Sequence, residues 1–193
     1  MPAPKILVFS GSTRTGSHNV KLVALAAKEL TLLDVDVTRI SLADYPMPLY
    51  DADLDARSGQ PDSAYKLKHM IQAHNGIFIA SPEYSGSVTP ILKNAIDWVS
   101  RVRERGDPTY AAYKGRVFAI ASASPGPAGG LRSLIALRQI LELGCGALVI
   151  PEQVAIPHGD QAFDDMDNIA DTRVANAFHA QLARLVEMAR LLA

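Results

Sequence analysis

Hydroxyl and basic side chains cluster near the amino terminus, directly after a short apolar run. Ser12, Ser17 and Asn19 offer short hydrogen-bonding groups, and Arg14 adds a planar positive fork between them. His18 lies in the same stretch and could donate a further hydrogen bond. Several short donors beside a fixed positive charge suit the binding of an anion, most simply a phosphate.

Two later stretches combine small and polar residues in the same way. One follows an apolar run that ends near Ser81, and the other follows a run that ends near Ser122. Their candidate binding residues are Pro82, Glu83, Tyr84, Ser85 and Gly86 in the first, and Ser122, Ser124 and Gly126 in the second. An amphipathic segment follows each stretch, so all three predict a loop between a strand and a helix.

Five short segments predict β-strands, at residues 5–10, 34–40, 76–81, 116–122 and 147–150. Helical periodicity is found from Ser17 onward, from Asp62 or Ser63, and over residues 91–100, 131–143 and 171–192. Ser17 and Thr89 are predicted N-caps, and Pro90 suits a first helical turn. Residues 53–61 and 152–169 are predicted to be irregular.

The alternation of strands and helices predicts one α/β domain over residues 1–193 with a parallel sheet. In the doubly wound strand order 2-1-3-4-5, the loops after strands one, three and four converge on one crevice. The charged residues of strand two place it near an edge of the sheet. We therefore expect the three polar loops to bind one ligand together.

Composition excludes several function classes. Among 193 residues, 48% are hydrophobic, and the net charge of −1 gives no bulk attraction for nucleic acid or a membrane surface. Cys145 is the only cysteine, so neither an internal disulfide nor a cysteine metal cluster is expected. The histidines lack metal-binding spacing, and neither a transmembrane run nor a secretory signal is evident. A cytoplasmic protein without a metal is therefore expected.

The residue spacing of the first loop narrows the choice of anion. It lacks the Gly-Lys-Ser/Thr ending of a P-loop, and Gly11 and Gly16 do not fit the dinucleotide pattern G-x-G-x-x-G. A hydroxyl-rich loop with one arginine suits a terminal monophosphate. A monophosphate with a flat body that reaches over the other two loops describes FMN well, although other mononucleotides remain possible on this reasoning alone.

The sequence also resembles the NADPH-dependent FMN reductase family, over Ile6 to about Ile150. The matching motifs are Gly11-Ser12-x-Arg14-x-x-Ser17-x-Asn19, Ser81-Pro82-Glu83-Tyr84-x-x-x-x-x-Pro90, Leu92-Lys93-Asn94-Ala95-Ile96-Asp97-Trp98 and Ser124-Pro125-Gly126-x-x-Gly129-Gly130. The resemblance implies a flavodoxin-like three-layer fold, bound FMN, and NADPH or NADH as co-substrate. It also implies small electron acceptors such as quinones, azo dyes or chromate.

The resemblance assigns roles to the candidate residues. Ser12, Arg14, Ser17 and Asn19 would hold the FMN phosphate, the loop from Pro82 to Ser85 would line the isoalloxazine, and Ser122, Ser124 and Gly126 would close its far side. Gly86 would allow close approach of the backbone. Many relatives carry asparagine where this chain has Ser85. No catalytic side chain is named, because flavin N5 carries the hydride; shared use of one flavin face would give ping-pong kinetics.

Two other functions remain open from the sequence. A flavodoxin-like electron carrier would bind FMN without nicotinamide turnover, but such carriers are usually strongly acidic. A mononucleotide hydrolase or transferase would need paired carboxylates or a metal cluster in the loops. The resemblance further suggests a homodimer or homotetramer. Residues 45–51 are either a surface wrap or a lid over a flavin, and Trp98 is either a core residue or a subunit contact.

Overall fold

The computed structural model describes residues 3–192, which form a five-stranded, all-parallel sheet in the order β2-β1-β3-β4-β5. The strands are β1 (Lys5–Ser10), β2 (Asp36–Arg39), β3 (Gly76–Ala80), β4 (Val117–Ala123) and β5 (Leu148–Ile156). The predicted fold class and strand order are confirmed. The charged strand β2 lies at one edge of the sheet, as predicted.

Six α-helices cover the sheet. They are α1 (His18–Leu30), α2 (Ala52–Ser58), α3 (Asp62–Gln72), α4 (Pro90–Arg101), α5 (Leu131–Gln139) and α6 (Thr172–Leu191). Helix α5 continues as a π-helical turn over Ile140–Gly144. Among residues 3–192, no helix combines the length and apolar character needed to cross a membrane.

Strand alternation divides the core into two layers. Ile6 and Val8 of β1 point to the side covered by α1 and α6, whereas Leu7 and Phe9 point to the side covered by α3, α4 and α5. Both faces of the central strands are therefore buried, which explains their continuous apolar sequence. The carboxyl ends of β1, β3 and β4 meet at one edge of this sandwich.

The prediction of an irregular segment at 53–61 is wrong for residues 53–58, because α2 occupies Ala52–Ser58. The Asp51 side chain accepts a hydrogen bond from the Leu54 N–H at 2.8 Å and caps this helix. Gly59, with φ of 70°, ends it. None of the residues of α2 is fully buried, so there was no apolar face for the sequence pattern to reveal.

Strand β5 is also longer than predicted, since it continues through Pro151 to Ile156. A bulge at this point shifts the pairing with β4 from Phe118–Val149 to Ile120–Gln153. Proline is tolerated here because β5 is an edge strand and because the bulge interrupts the backbone hydrogen bonds to β4 at this point. The predicted irregular segment 152–169 therefore begins only after the strand.

Two long side chains satisfy the carbonyl groups around this bulge. Gln181 of α6 donates from Nε2 to the Ile120 oxygen at 2.8 Å and to the Glu152 oxygen at 3.0 Å. From the other face of the sheet, Arg138 donates to the Ile150 oxygen at 2.8 Å. The bulge is thus supported from both helical layers.

Replacing Gln181 by leucine should lower the free energy of unfolding by about 2 kcal/mol, because two carbonyl groups lose a buried donor. Gln139→Leu, on the exposed face of α5, is the matched control and should change stability by less than about 0.5 kcal/mol. Urea unfolding followed by circular dichroism measures both values. Equal stabilities of the two variants would show that water replaces Gln181 without cost.

Candidate functional site

A cavity of about 100 Å³ lies where the three polar loops meet, beyond the carboxyl ends of β1, β3 and β4. Its lining residues are Ser12, Arg14, Ser17, His18, Asn19, Pro82, Glu83, Tyr84, Ala123, Ser124 and Pro125. Most of the residues singled out from the sequence therefore lie around one space. Ser85, Gly86, Ser122 and Gly126 lie in the same loops but do not line this cavity.

A larger cavity of about 350 Å³ lies on the opposite side of Ser12, next to Arg39 and Ser41. It contacts only the first of the three polar loops. The candidate site is therefore chosen by the convergence of the three polar loops and not by cavity volume. We assign the site to the smaller cavity for this reason.

The first loop is held by a chain of short local hydrogen bonds. Ser10 Oγ accepts from the Ser12 N–H at 3.1 Å, and Ser12 Oγ accepts from the Arg14 N–H at 3.2 Å. The Arg14 carbonyl then accepts from the Ser17 N–H at 3.2 Å. Ser12 Oγ accepts here, so its own O–H proton is available to a ligand.

Helix α1 begins directly behind this loop. Ser17 occupies the N-cap position as predicted, but its side chain makes no capping hydrogen bond. The hydroxyl group is therefore free to serve the cavity that it lines. The first N–H groups of the helix and the positive end of its dipole add to the attraction for an anion.

The Arg14 side chain is exposed and wraps around its own loop. Its guanidinium group donates to the Thr15 oxygen at 3.4 Å and to the Gly16 oxygen at 3.3 Å. These long bonds leave other guanidinium N–H groups available. The positive charge is therefore already located at the mouth of the cavity.

Asn19 lines the cavity and also has a structural role. It is buried, its Nδ2 donates to the Ala123 oxygen at 2.8 Å, and its Oδ1 accepts from the Ala123 N–H at 3.0 Å. Both ends of the amide are thus used to join α1 to the end of β4. Asn19 fixes the distance between the first and third loops.

The second loop forms a tight hairpin turn. Tyr84 and Ser87 exchange two backbone hydrogen bonds of 3.0 Å, and the residues between them have φ values of 49° for Ser85 and 79° for Gly86. Positive φ at both central positions is typical of a type I′ turn, in which Asn-Gly is preferred. The turn itself therefore gives a reason for asparagine at the position of Ser85.

Ser85→Asn should raise the free energy of unfolding by about 0.5–1 kcal/mol, because asparagine tolerates the left-handed backbone better than serine. Ser87→Asn, outside the two positive-φ positions, is the control and should give no gain. Thermal unfolding of the protein without added ligand measures the effect. A lower stability for Ser85→Asn would contradict the turn-based explanation.

The Glu83 carboxylate is bound to Arg132, and this contact argues against a role for Glu83 as a catalytic acid. Its carboxylate accepts hydrogen bonds from Arg132 Nε at 2.7 Å and from the Arg132 N–H at 3.2 Å, at the start of α5. The hydrogen bond from the Arg132 side chain is the main reason that the pKa of Glu83 is lowered. Glu83 therefore stays ionised and ties the second loop to the helix after the third loop.

The third loop is fixed by two adjacent glycines with positive φ. A Cβ atom on Gly129 would lie 2.7–2.8 Å from backbone atoms of Ala155 and Ile156, and one on Gly130 would overlap Ser122 Oγ. Ser122 is fully buried behind Gly130, and its hydroxyl has no hydrogen-bond partner within residues 3–192. Ser122 therefore lies beneath the loop, whereas Ser124 reaches the cavity.

The proline-rich segment 45–51 is held to α4. The Pro48 carbonyl accepts from Trp98 Nε1 at 2.7 Å and from Asn94 Nδ2 at 2.9 Å. The Tyr50 N–H donates to Asn94 Oδ1 at 2.7 Å, and its ring packs edge-on against Trp98 at 5.0 Å. Trp98 is thus a buried core residue that anchors this segment, which favours the surface wrap over a free lid.

The sequence did not indicate three of the residues that shape the site. Arg132 acts through its contact with Glu83 of the second loop. Gly129 belongs to the Ser124–Gly130 motif, but its close approach to the backbone of β5 was not visible in the sequence. Gly159 and Asp160 follow β5 and approach the first loop from a distance of more than 100 residues in sequence. No local pattern marks such contacts.

A parallel sheet of order 2-1-3-4-5 defines the class of flavodoxin-like α/β proteins. Comparison with known proteins gives the family. The model of the NADPH-dependent FMN reductase family matches residues 4–161. The chain belongs to this family, and the resemblance seen in the sequence is confirmed.

Relatives and solved structures agree with this assignment. An NAD(P)H-dependent FMN reductase of Pseudomonas aeruginosa is 36% identical over 183 residues, which cover 94% of this chain and 92% of that protein. A quinone reductase of Escherichia coli is 36% identical over 71% of this chain and 69% of its own. The structure of FerB, a flavoenzyme NAD(P)H:(acceptor) oxidoreductase from Paracoccus denitrificans, gives a TM-score of 0.79 at 26% identity, with 98% of each chain covered.

Proposed function

We propose that this protein is an FMN-dependent NAD(P)H oxidoreductase that passes a hydride to quinones or similar small acceptors, such as flavins, azo compounds or chromate. The observation that carries this proposal is the convergence of the three family loops on one cavity lined by hydroxyl groups and an arginine. The names of the relatives support the use of FMN and NAD(P)H and the reduction of quinones.

The cavity fits the phosphate end of FMN. Its volume of about 100 Å³ leaves room for several water molecules and therefore for one phosphate group. Ser12 and Ser17 surround it with hydroxyl donors, Arg14 adds a cationic donor, and the His18 ring, whose Nε2 faces the Asp160 carboxylate, completes the lining. In this proposal they hold the phosphate, and the isoalloxazine lies over the loop from Pro82 to Gly86 and beside Ser124 and Gly126.

When bound, FMN supplies the chemistry that accepts and donates the hydride. The protein holds the flavin ring in one orientation. The ionised Glu83 is held by Arg132 and is not a proton donor. Burial raises the pKa of Cys145 to about 11, so its thiol stays protonated and takes no part as a thiolate. Tyr84, which is 51% exposed beside the cavity, is placed to contact the edge of the ring.

The same proposal includes a homodimer or homotetramer in the cytoplasm. Tyr84, Leu131 and Ile135 are exposed apolar side chains, and the last two lie one turn apart at the start of α5. A second copy of the chain covering them would also shield the open side of the cofactor. Sedimentation velocity of the purified protein tests this part of the proposal independently of catalysis.

The test of the function is steady-state oxidation of NADPH with a soluble quinone, by protein freed of flavin and then supplied with FMN. We expect turnover only with FMN present, and parallel lines in double-reciprocal plots when both substrates are varied. Riboflavin, which lacks the phosphate, should restore little activity. FMN binding without NADPH oxidation would instead support the electron carrier, and intersecting lines would contradict alternation of the substrates.

A further inference from the structure

His18 is held between the candidate phosphate cavity and a carboxylate from the far end of the chain. Its ring lines the cavity, and its Nε2 lies 3.0 Å from Asp160 Oδ1. The His18 side chain is 16% exposed and that of Asp160 is 72% exposed. The imidazole is thus largely fixed, with the carboxylate on its outer side.

The segment around Asp160 is built to hold this contact. The Gly159 N–H donates to the Ser124 oxygen at 2.9 Å, and the Gln161 N–H donates to the His158 oxygen at 2.8 Å. A Cβ atom on Gly159 would lie only 2.9 Å from His18 Cδ2, so the backbone packs directly against the ring. The segment after β5 therefore reaches both the first and the third loops.

The chemistry of imidazole limits what this arrangement can bind. A neutral imidazole has one N–H group and one lone pair. In the neutral ring, the N–H group must be at Nε2 to donate to the Asp160 carboxylate. This tautomer leaves the lone pair on Nδ1. Nδ1 has no hydrogen-bond partner in the described part of the chain, and a lone pair there would repel a phosphate oxygen. Only the protonated ring donates to both anions at once.

We infer that FMN binding is coupled to the uptake of one proton by His18, and that Asp160 is the positioning residue that holds the imidazolium against the phosphate. This inference rests on the proposed function, because it takes the cavity to be the FMN phosphate site. It adds a residue outside the family loops and makes cofactor affinity depend on pH.

The other charged groups near His18 do not remove this requirement. Arg14 lies on the first loop and attracts the same anion, and Glu83 on the second loop is neutralised by Arg132. On α1 itself, Lys21 is paired with Asp167 at 2.6 Å. Exposed His158 lies two residues before Asp160. The phosphate dianion is therefore the added charge that stabilises protonated His18.

The experiment measures the dissociation constant of FMN from the full-length flavin-free protein by quenching of FMN fluorescence, between pH 7 and pH 9. The phosphate is a dianion throughout this range, since its second pKa is about 6. The affinity for FMN should fall by about tenfold or more between pH 7 and pH 9. When binding takes up one proton, the affinity falls by up to a factor of about ten for each unit of pH increase. His18→Gln should bind FMN with no such pH dependence, and Asp160→Asn should show a reduced one.

Proton uptake is also measured directly, by calorimetry at pH 7.5 in buffers of different ionisation enthalpy. The wild-type protein should take up a large fraction of one proton per FMN, and His18→Gln should take up almost none. His158→Gln and Asp165→Asn are matched surface controls in the same segment and should behave like the wild type. Riboflavin, which has no phosphate, should bind without this proton uptake.

The outcomes separate this inference from the proposed function. If all variants bind FMN with the same pH dependence and proton uptake as the wild type, the role of His18 and Asp160 is overturned while the FMN site stands. If Asp160→Asn matches the wild type but His18→Gln does not, the positioning role of Asp160 is overturned. If the wild-type protein binds no FMN at any pH, the cofactor assignment itself fails.

Discussion

Arg14→Ala should weaken FMN binding by about 10- to 100-fold, since a hydrogen bond between charged partners contributes about 1.5–3 kcal/mol. The guanidinium group already lies against the Thr15 and Gly16 carbonyls at the cavity mouth, so little ordering is needed when the anion binds. Titration of the flavin-free protein with FMN measures the loss. Binding of riboflavin should be almost unchanged.

Two controls distinguish a phosphate contact from damage to the loop. Arg14→Lys keeps the charge but not the planar fork, so an intermediate affinity is expected. Arg173→Ala removes an arginine at the start of α6, outside the loops that line the cavity, and should leave FMN affinity within about twofold at 0.15 M salt. Unchanged FMN affinity in Arg14→Ala would mean that this arginine is only a solvated charge.

Gly129→Ala should lower the free energy of unfolding by about 3 kcal/mol and weaken FMN binding. The added methyl group would lie 2.7–2.8 Å from the backbone of Ala155 and Ile156, and the residue has φ of 60°. The left-handed backbone alone costs alanine about 1–2 kcal/mol, and the close contact adds to this. Because β5 cannot move without losing its pairing, the third loop must shift instead.

Gly144→Ala is the matched control for this change. Gly144 has no positive φ, and its added Cβ would meet no atom within 4 Å, so a change below about 0.5 kcal/mol is expected. Chemical unfolding of both variants gives the comparison. If Gly129→Ala is as stable as Gly144→Ala, the third loop is not held against β5 as the structure describes.

The sheet could be predicted from the sequence because its strands carry their own signal. Apolar runs such as Ile6–Phe9 and Ile77–Ala80 are buried on both faces, and each ends in a polar loop. Charged positions in β2 placed it at the edge. These features are local in sequence, and the strand order then followed from the usual doubly wound arrangement.

The two mistaken segments lacked such a local signal. Helix α2 has no fully buried residue and begins at the Asp51 cap, so its residues show no clear apolar periodicity. In β5, Pro151 and the polar residues after it look like a loop. The strand continues there in pairing with β4, and the Arg138 and Gln181 side chains donate to the Ile150 and Glu152 oxygens.

In the candidate site too, features that are local in sequence could be predicted and contacts between distant residues could not. Residue types alone predicted that Ser12, Arg14 and Ser17 lie together, and the three residues line one cavity. They could not show that the Asn19 amide bonds to the backbone of Ala123, since the two residues lie 104 positions apart in sequence. Nor could they show that Asp160 reaches His18. Contacts between loops depend on the register and length of β4 and β5, which only the folded chain reveals.

The central claim is tested most directly by the visible spectrum of the purified protein, followed by anaerobic addition of NADPH. An absorption band near 450 nm, roughly where oxidised flavins absorb, that bleaches on addition of NADPH is the result we predict. A flavin band that NADPH leaves unchanged would contradict the reductase and favour an electron carrier. No band even after addition of FMN would contradict the assignment of the three-loop cavity to this cofactor.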